Sequence, residues 1–285
     1  MKIEDIKKVA VIGAGTMGLG IAQITAQNDF ETLLFDIDEQ GLERAKEQII
    51  KNLDKGIERG KLTSKIKNDT LEKLTYSTDF KLLRADLVIE AIVENLEVKQ
   101  KLFQDLEQQN SNSSIFASNT SSIPITKIAA ALKTPERLAG MHFFNPAHIM
   151  KLVEVISGAA TEPEVASTLK ALAEKCGKIG VMAKDSPGFI VNRVARHFYV
   201  ESLLLLEEGV ADVESIDKLI RSSGFKMGPF ELMDLIGVDT NFSVTQSMFN
   251  SFHQDSKFRP SRIQEQKVTA GHNGRKTGKG FYDYF

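Results

Sequence analysis

Apolar residues in the first two thirds of the chain form short runs that alternate with segments of helical periodicity. These runs have the length and β-branched content of buried strands, and they occupy residues 7–12, 31–35, 86–93, 115–118, 137–142, 151–156 and 178–182. The intervening pattern predicts two helices within residues 39–75 and another over residues 96–109. Alternating strands and helices predict an α/β fold with a doubly wound, mainly parallel sheet.

The pattern changes at the stretch KDSPG, residues 184–188, after which apolar positions follow helical spacing almost to the end. We therefore predict an α/β domain over residues 1–184 and an all-helical C-terminal domain over residues 185–285. Leu203–Leu206 is apolar nearly all round its helix and needs cover on more than one side. Either its own domain or the second subunit of a homodimer provides that cover. We expect the glycine- and lysine-rich segment 271–280 to be mobile.

A glycine-rich turn follows the first predicted strand and opens the first predicted helix. It runs from Gly13 through Gly15 and Met17 to Gly18, the GxGxxG spacing of a Rossmann-type dinucleotide site. Gly13 permits the tight turn, Gly15 lets the backbone approach a pyrophosphate, and Gly18 lets the helix pack closely on the strand. We expect all four residues to contact the cofactor; the alternative is a glycine turn without a nucleotide.

An acidic residue closes the second predicted strand. Asp36 lies eighteen residues past Gly18, where a carboxylate can accept hydrogen bonds from the ribose hydroxyls of adenosine. Ile37 and Asp38 follow it in place of an arginine, so a ribose 2′-phosphate would meet negative charge. The pattern therefore favours NAD over NADP.

Composition and charge argue against several classes of binding partner. The formal charge is −2 and basic residues form no long run, so we expect neither a nucleic-acid nor a membrane partner. Cys176 is the only cysteine, which excludes an internal disulfide and a thiolate metal cluster. The start, MKIEDIKKVAVIG, resembles neither a signal nor a transit peptide, and no apolar stretch approaches the roughly 18 residues of a membrane span. We expect a cytoplasmic protein without a metal.

A carboxylate lies in the middle of the predicted strand 151–156. Unpaired buried charge costs several kcal/mol, roughly, so Glu154 requires a partner. His142 ends the preceding strand, and ligands of doubly wound sheets bind at the carboxyl ends of strands. If Glu154 accepts from one ring nitrogen, the other can exchange protons with a substrate. Taken singly, the two residues also fit a core histidine and an exposed acid at a strand edge.

Seven segments carry a resemblance to a known family: VIGAGTMGLGIAQ, DLVIEAIVENLEVK, FASNTSS, HFFNPAHIMKLVEV, DSPGFIVNR, GPFELMDLIG and TGKGFYDY. In this order they resemble the 3-hydroxyacyl-CoA dehydrogenases, especially the stand-alone 3-hydroxybutyryl-CoA dehydrogenases of bacteria. The resemblance spans nearly the whole chain. It implies a Rossmann domain, a helical domain that forms a dimer, and an acyl-CoA substrate held between the two domains.

The resemblance also implies roles for individual residues. His142 is the expected acid/base, and Glu154 orients it. The expected contacts around the substrate oxygen or the histidine are Ser121, Asn145 and Asn192, of which Ser121 and Asn145 also lie near the cofactor. The residues implied on the nicotinamide-ribose side of NAD are Glu94 and Lys99.

Two further charged residues have weaker assignments. Lys46 lies on the helices after Asp36, where the family's CoA phosphates pass, and it is the one basic residue we assign to CoA. Its neighbours carry mixed charge, which also fits a solvated helix face. Glu90, inside an apolar strand, is expected to be structural, because no chemical partner lies near it in sequence.

The expected reaction is the NAD-dependent, reversible oxidation of a short-chain 3-hydroxyacyl-CoA, such as 3-hydroxybutyryl-CoA, to the 3-ketoacyl-CoA. One alternative is a dehydrogenase of a free 3-hydroxy acid, although relatives of that kind use a lysine where this chain has His142 and Glu154. The other is a non-catalytic NAD-binding sensor or structural protein, whose expected mark is the loss of one of those two residues. The sequence leaves the acyl-chain length open.

Overall fold

A computed structural model describes residues 1–284 and divides the chain into two compact units. The first unit comprises Met1–Ser186, and the second begins at Pro187. In chain order, the elements of the first unit are β1 (Lys8–Ile12), α1 (Thr16–Gln27), β2 (Glu31–Phe35), α2 (Glu39–Glu58), α3 (Ser64–Glu72), β3 (Leu74–Ser77), β4 (Leu87–Glu90), α4 (Leu96–Gln109), β5 (Ile115–Ser118), α5 (Ile125–Ala129), β6 (Leu138–Phe143), β7 (Leu152–Ser157), α6 (Pro163–Lys175) and β8 (Ile179–Lys184).

The first unit is built around one eight-stranded sheet. Its strand order is β3-β2-β1-β4-β5-β6-β7-β8, and neighbours pair in parallel except for the antiparallel pair β6 and β7. The order reverses direction at β1, where β2 lies on one side and β4 on the other. This confirms the predicted doubly wound, mainly parallel α/β fold, and it places a topological switch point at the end of β1.

The central strands are buried on both faces because helices cover the sheet. Val9 and Val11 on β1 and Val88 and Ile89 on β4 have no exposed surface. Such strands appear in a sequence as continuous apolar runs, which is why they were predictable. Helices α2 and α4 begin at side-chain caps: Asp38 accepts the Gln40 N–H, and Asn95 accepts the Val98 N–H.

Two predicted elements differ from the structure. The helices within residues 39–75 end at Glu72, and Leu74–Ser77 is a strand that pairs with β2 at the edge of the sheet. The strand predicted over residues 86–93 ends at Glu90 instead, because the Glu90 carboxylate accepts the Ile92 N–H at 2.7 Å and turns the chain. Pairing within the sheet decided the first difference, and a local side-chain hydrogen bond decided the second.

The second unit is helical. Its helices are α7 (Val191–Glu207), α8 (Val213–Ser222), α9 (Pro229–Ile236), α10 (Val238–Ser251) and α11 (Arg262–Thr269). Their buried apolar side chains form a cluster of Tyr199, Leu203, Ile216, Phe230 and Met233. This confirms the predicted helical C-terminal domain. In residues 1–284, no helix has both the length and the apolar character needed to cross a membrane.

The segment 271–280 is folded, so the prediction that it is mobile was wrong. It contains a short 3₁₀ turn and a bridge between Gly274 and Lys279. The residues that follow it are held by Asp234 of α9, which accepts the N–H groups of Phe281 and Tyr282 at 2.9 Å each. Glycine is required here because the backbone passes close to Asp234: a Cβ added at Gly274 would lie 2.3 Å from the Asp234 carbonyl oxygen.

Candidate active site

The glycine turn after β1 has the geometry of a phosphate-binding turn. Gly13 has φ +101°, and a Cβ there would lie 2.6 Å from the carbonyl oxygen of Ala91. A Cβ at Gly18 would lie 1.7 Å from the Gly13 carbonyl oxygen, so α1 packs directly on the turn. Among the described residues, nothing lies within 4 Å of a Cβ built at Gly15, the residue that caps α1. The amino end of α1 is therefore open to an anionic ligand at Gly15.

Asp36 lies beside this turn. Its Oδ2 accepts the Ala14 N–H at 2.6 Å, and its Oδ1 accepts the Asp38 N–H at 3.0 Å. A cavity of about 630 Å³ opens there, lined by Gly13, Gly15, Asp36 and Ile37 together with residues of α4. The turn, the acid and the cavity fit the adenosine half of a dinucleotide. Met17 is partly buried and packs against the core.

The residues after Asp36 form no site for an extra phosphate. Asp38 caps α2 through the Gln40 N–H at 3.0 Å, and it pairs with the Arg44 guanidinium at 2.9 Å. The nearest arginine along the chain is thus turned toward a carboxylate. This arrangement agrees with the preference for NAD predicted from Asp36.

His142 and Glu154 are directly opposite each other in the antiparallel pair of β6 and β7. Both side chains are buried, with exposures of 6% and 1%, and Nδ1 of His142 lies 2.8 Å from Oε2 of Glu154. The contact predicted from the sequence is therefore present. Because a carboxylate accepts at Nδ1, the neutral imidazole carries its proton there and has its lone pair on Nε2. The Phe144 ring packs beside the imidazole, with 4.6 Å between centroids.

Glu94 organises the loop that follows β5. Its Oε1 accepts from Thr120 Oγ1 at 2.7 Å and from the Ser121 and Ser122 N–H groups at 2.9 and 3.1 Å. Ser121 Oγ also lies 3.3 Å from this oxygen. Burial alone would raise the pKa of Glu94, but the Lys99 charge and these hydrogen bonds hold the pKa below its ordinary 4.5. Glu94 is therefore a fixed anion that positions Ser121.

Lys99 lies beneath this loop. Its Nζ is 2.5 Å from Oε1 of Glu90 and 3.3 Å from Oε2 of Glu94, and its side chain is 1% exposed. Glu90, for which the sequence offered no partner close by, pairs with Lys99, nine residues later on α4. A strand end and a helix meet here through the fold, so spacing along the chain did not reveal the pair.

Two residues that sequence reasoning missed support the histidine segment. Asn119 donates its N–H to the Glu90 carbonyl oxygen and accepts the Phe143 N–H at Oδ1, both at 2.8 Å, which joins the ends of β4, β5 and β6. Lys178 donates to the carbonyl oxygens of Ala147 and Met150 at 2.7 Å each. Burial lowers the pKa of Lys178. The only sequence signal for Asn119 was its position at a strand end.

The remaining predicted residues have separate places. Asn145 is exposed and begins the turn whose carbonyl oxygens accept hydrogen bonds from Lys178. Lys46 is exposed on α2, with its Nζ 5.9 Å from the Tyr76 ring centroid. Asn192 is in the first turn of α7, in the second unit. The first unit thus gathers the His142–Glu154 pair and the Glu94–Lys99–Ser121 cluster at the edge of the sheet where β4, β5 and β6 end.

Nucleophilic chemistry does not fit the one cysteine of the chain. Burial raises the pKa of Cys176 to about 12, so this thiol is not a nucleophile at neutral pH. Within the part of the chain that the structure describes, no three His, Cys, Asp or Glu side chains gather as metal ligands. An imidazole oriented by a carboxylate, in the unit that also carries the glycine turn and Asp36, is suited to proton transfer coupled to hydride transfer.

The chain matches both domains of one family. Residues 8–186 match the 3-hydroxyacyl-CoA dehydrogenase NAD-binding domain, and residues 188–284 match the C-terminal domain. A 3-hydroxyadipyl-CoA dehydrogenase of Escherichia coli is 50% identical over 98% of this chain, which spans only 59% of the length of that relative. A probable 3-hydroxybutyryl-CoA dehydrogenase of Bacillus subtilis is 42% identical over 98% of both chains.

A solved structure agrees along the whole length. The crystal structure of (S)-3-hydroxybutyryl-CoA dehydrogenase from Ralstonia eutropha superposes with a TM-score of 0.95 at 38% identity, over 99% of this chain and 100% of that one. The glycine turn, Asp36 and the cleft beside them lie in the segment that matches the NAD-binding domain. The chain therefore belongs to the 3-hydroxyacyl-CoA dehydrogenase family, and its first unit is the NAD-binding domain of that family.

Proposed function

We propose that the protein catalyses the reversible, NAD-dependent oxidation of a short-chain 3-hydroxyacyl-CoA to the 3-ketoacyl-CoA. The observation that carries this proposal is the buried contact of 2.8 Å between Nδ1 of His142 and Oε2 of Glu154. A histidine held in this way directs its second nitrogen toward proton exchange. The pair lies in the unit that carries the dinucleotide turn, so a proton can leave the 3-hydroxyl oxygen while a hydride leaves C3.

In the oxidative direction, His142 takes the proton of the 3-hydroxyl through Nε2, and Glu154 stabilises the imidazolium that results. The glycine turn and Asp36 would hold NAD, which would supply the acceptor for the hydride of C3. A positioned base of this kind accelerates proton transfer by roughly 10²- to 10⁴-fold. Ser121, fixed by Glu94, can donate to the charge that develops on the substrate oxygen. We assign the same role to Asn192, a cofactor contact to Asn145, and a CoA contact to Lys46.

Two substrates are favoured by different relatives. The Bacillus subtilis relative and the Ralstonia eutropha structure, both matched over nearly their whole length, are named for 3-hydroxybutyryl-CoA, which favours a four-carbon acyl group. The relative with 50% identity is named for 3-hydroxyadipyl-CoA, which favours a dicarboxylic acyl group of six carbons. We propose 3-hydroxybutyryl-CoA as the first substrate to test and 3-hydroxyadipyl-CoA as the second candidate.

The test is NADH consumption by the purified protein. Acetoacetyl-CoA, 3-oxoadipyl-CoA and a longer 3-ketoacyl-CoA are compared with free acetoacetate, each with NADH and with NADPH. We expect rapid turnover with a short thioester and NADH, and little with the free acid or NADPH. Turnover of free acetoacetate alone would identify a hydroxy-acid dehydrogenase. Tight NADH binding without turnover of any thioester would favour a non-catalytic nucleotide-binding protein.

We also propose a homodimer formed through the second unit. Large apolar side chains are exposed there, among them Leu219, Phe225 and Val210, and such a surface fits a subunit interface. Sedimentation at micromolar concentration should give twice the mass of the chain, and a monomeric mass would overturn this. The cytoplasmic location and the domain boundary at residues 184 and 185 remain predictions.

A further inference from the structure

The buried carboxylate of Glu90 has no part in the mechanism above. It ends β4, has no exposed surface, and accepts three hydrogen bonds. The donors are Lys99 Nζ at 2.5 Å, the Ile92 N–H at 2.7 Å and Ser118 Oγ at 2.6 Å. They come from helix α4, the turn after β4 and the end of β5. One carboxylate therefore connects three separate segments.

These contacts close a ring of polar side chains. From Glu90 the ring passes to Lys99, and from Lys99 to Glu94 at 3.3 Å. Glu94 accepts the N–H and lies within hydrogen-bond distance of the hydroxyl of Ser121. Ser118, three residues earlier on the same loop, returns to Glu90. Because both ends of the ring attach to one loop, Ser121 cannot shift without moving Lys99 or Glu94.

Stability alone does not account for this ring. A buried ion pair gains little over well-packed apolar residues, because removing two charges from water offsets most of their attraction. A closed set of hydrogen bonds does fix the geometry of its members, and a displacement of about 1 Å near reacting atoms can cost about a hundredfold in rate. The buried pair of Glu90 and Lys99 therefore serves to fix the positions of its neighbours.

We propose that Glu90 is a positioning residue for the nicotinamide-ribose part of the NAD site, acting through Lys99 on Glu94 and the loop 118–122. Without the Glu90 charge, Lys99 would pair more closely with Glu94, which already lies 3.3 Å from it. Glu94 then shares its oxygens between an ammonium and the loop donors, and Ser121 loses its fixed place. The inference rests on the proposed use of NAD, and it adopts the positions that the family resemblance implies, with Glu94 and Lys99 on the nicotinamide-ribose side and Ser121 near the cofactor.

The first experiment measures the binding of NADH to the Glu90→Gln variant. Binding is detected by the fluorescence of NADH, and no thioester is present. Glutamine keeps the size and one acceptor but removes the charge. We expect the dissociation constant for NADH to rise about tenfold or more, as for a lost charge-assisted hydrogen bond. The KM for NADH should rise in parallel. An unchanged dissociation constant in a folded variant would overturn the proposal.

A double-mutant cycle separates positioning from a general loss of stability. Lys99→Met should also weaken NADH binding, and adding Glu90→Gln to it should change the dissociation constant by less than about twofold, because Glu90 acts through Lys99. If the double variant raised the dissociation constant by the product of the two single effects, Glu90 would act independently of Lys99. Ser118→Ala, a milder change at the other end of the ring, keeps the test usable if Glu90→Gln does not fold. We expect it to weaken NADH binding about threefold.

Glu107→Gln is the matched control. Glu107 is another largely buried acid on α4, where it accepts the Lys133 and Thr134 N–H groups and lies 3.7 Å from Arg137. It is eight residues from Lys99, about 12 Å along the helix. NADH binding should remain within about twofold of wild type in this variant. Because NADH binding requires no turnover, a wild-type protein that binds NADH but reduces no thioester would refute the proposed function and leave this inference testable.

Discussion

Two carboxylates are buried equally deeply, one in each unit, and their partners differ. Glu154 and Asp234 are each 1% exposed. Glu154 lies 2.8 Å from an imidazole nitrogen of His142, a side chain that can take up and release a proton. Asp234 accepts two backbone N–H groups and, at 3.0 Å, the hydroxyl of Tyr284, whose pKa burial raises to about 12. The first carboxylate can assist a proton transfer, whereas the second holds a chain segment in place.

Burial of an acid is thus a poor guide to function unless its donors are known. A buried carboxylate must be satisfied by hydrogen bonds or charge in either case. A donor that can exchange a proton with a substrate gives the carboxylate a part in proton chemistry, and donors that only hold a chain segment make it an anchor. The comparison predicts that changes at Glu154 affect turnover more than stability, and that changes at Asp234 do the reverse.

The largest effect is expected for His142→Gln. Glutamine can still occupy the site opposite Glu154, but it cannot take up a proton, so kcat should fall by roughly 10²- to 10⁴-fold or more. The dissociation constant for NADH should remain within about twofold of wild type, since the glycine turn and Asp36 are untouched. Stopped-flow turnover with acetoacetyl-CoA and NADH fluorescence measure the two quantities. Activity like that of wild type would remove the mechanism proposed for His142.

Glu154→Gln should lower kcat by about 10- to 100-fold, a smaller loss than that of His142→Gln. The amide can still accept from Nδ1, but it no longer stabilises the imidazolium by charge, and a hydrogen bond to a charged group contributes about 1.5–3 kcal/mol. The loss should almost vanish in the His142→Gln background, because the two residues act as one unit. Equal losses in both backgrounds would show that Glu154 acts independently of His142.

Asp234→Asn should reduce stability more than it reduces turnover, the reverse of the result expected at Glu154. Its amide presents only one acceptor oxygen to three donors, so we expect a loss of about 2 kcal/mol in the free energy of unfolding, measured in urea. Tryptic cleavage at Lys276 and Lys279 should accelerate as the tail loosens. Asp239→Asn is the control: Asp239 pairs with Lys276 at 2.7 Å, and both are partly exposed, so its loss should cost less than about 1 kcal/mol.

Much of the first unit could be predicted because its signals are local in sequence. Helix α4 and strand β5 begin and end at the predicted residues, since Asn95 caps the helix and the strand is continuously apolar. The contact between His142 and Glu154 was predictable because both lie on strands that the family pattern places side by side. Their roles in catalysis remain proposals.

The features that were missed depend on contacts between distant segments. The pairing of Glu90 with Lys99 joins a strand end to a helix, and no periodicity marks it. The glycines of the tail indicated flexibility by composition, yet a Cβ at Gly280 would lie 2.1 Å from Oδ1 of Asp234. Glycine there reflects close packing of the backbone, which only the folded chain reveals.

The smallest predicted effect concerns Asp217, a second anchoring acid of the second unit with no exposed surface. It accepts the Phe230 and Glu231 N–H groups and the Tyr282 hydroxyl at 3.0, 2.9 and 2.8 Å. Burial raises the pKa of Asp217 above its ordinary 3.8, and these hydrogen bonds only partly oppose the rise. The folded protein therefore binds this proton more tightly than the unfolded chain does.

The sign of the pH dependence follows from that difference. A raised pKa contributes stability that is fully present below pH 3.8 and is lost as the pH rises through the folded-state value of Asp217. Glu94, whose pKa is lowered, contributes stability that is present above pH 4.5 and is lost as the pH falls. In urea unfolding between about pH 3 and pH 6, Asp217→Asn should make stability rise more steeply with pH, and Glu94→Gln should make it rise less steeply. If both variants changed the slope in the same direction, folding would not shift the pKa values of Asp217 and Glu94 in opposite directions.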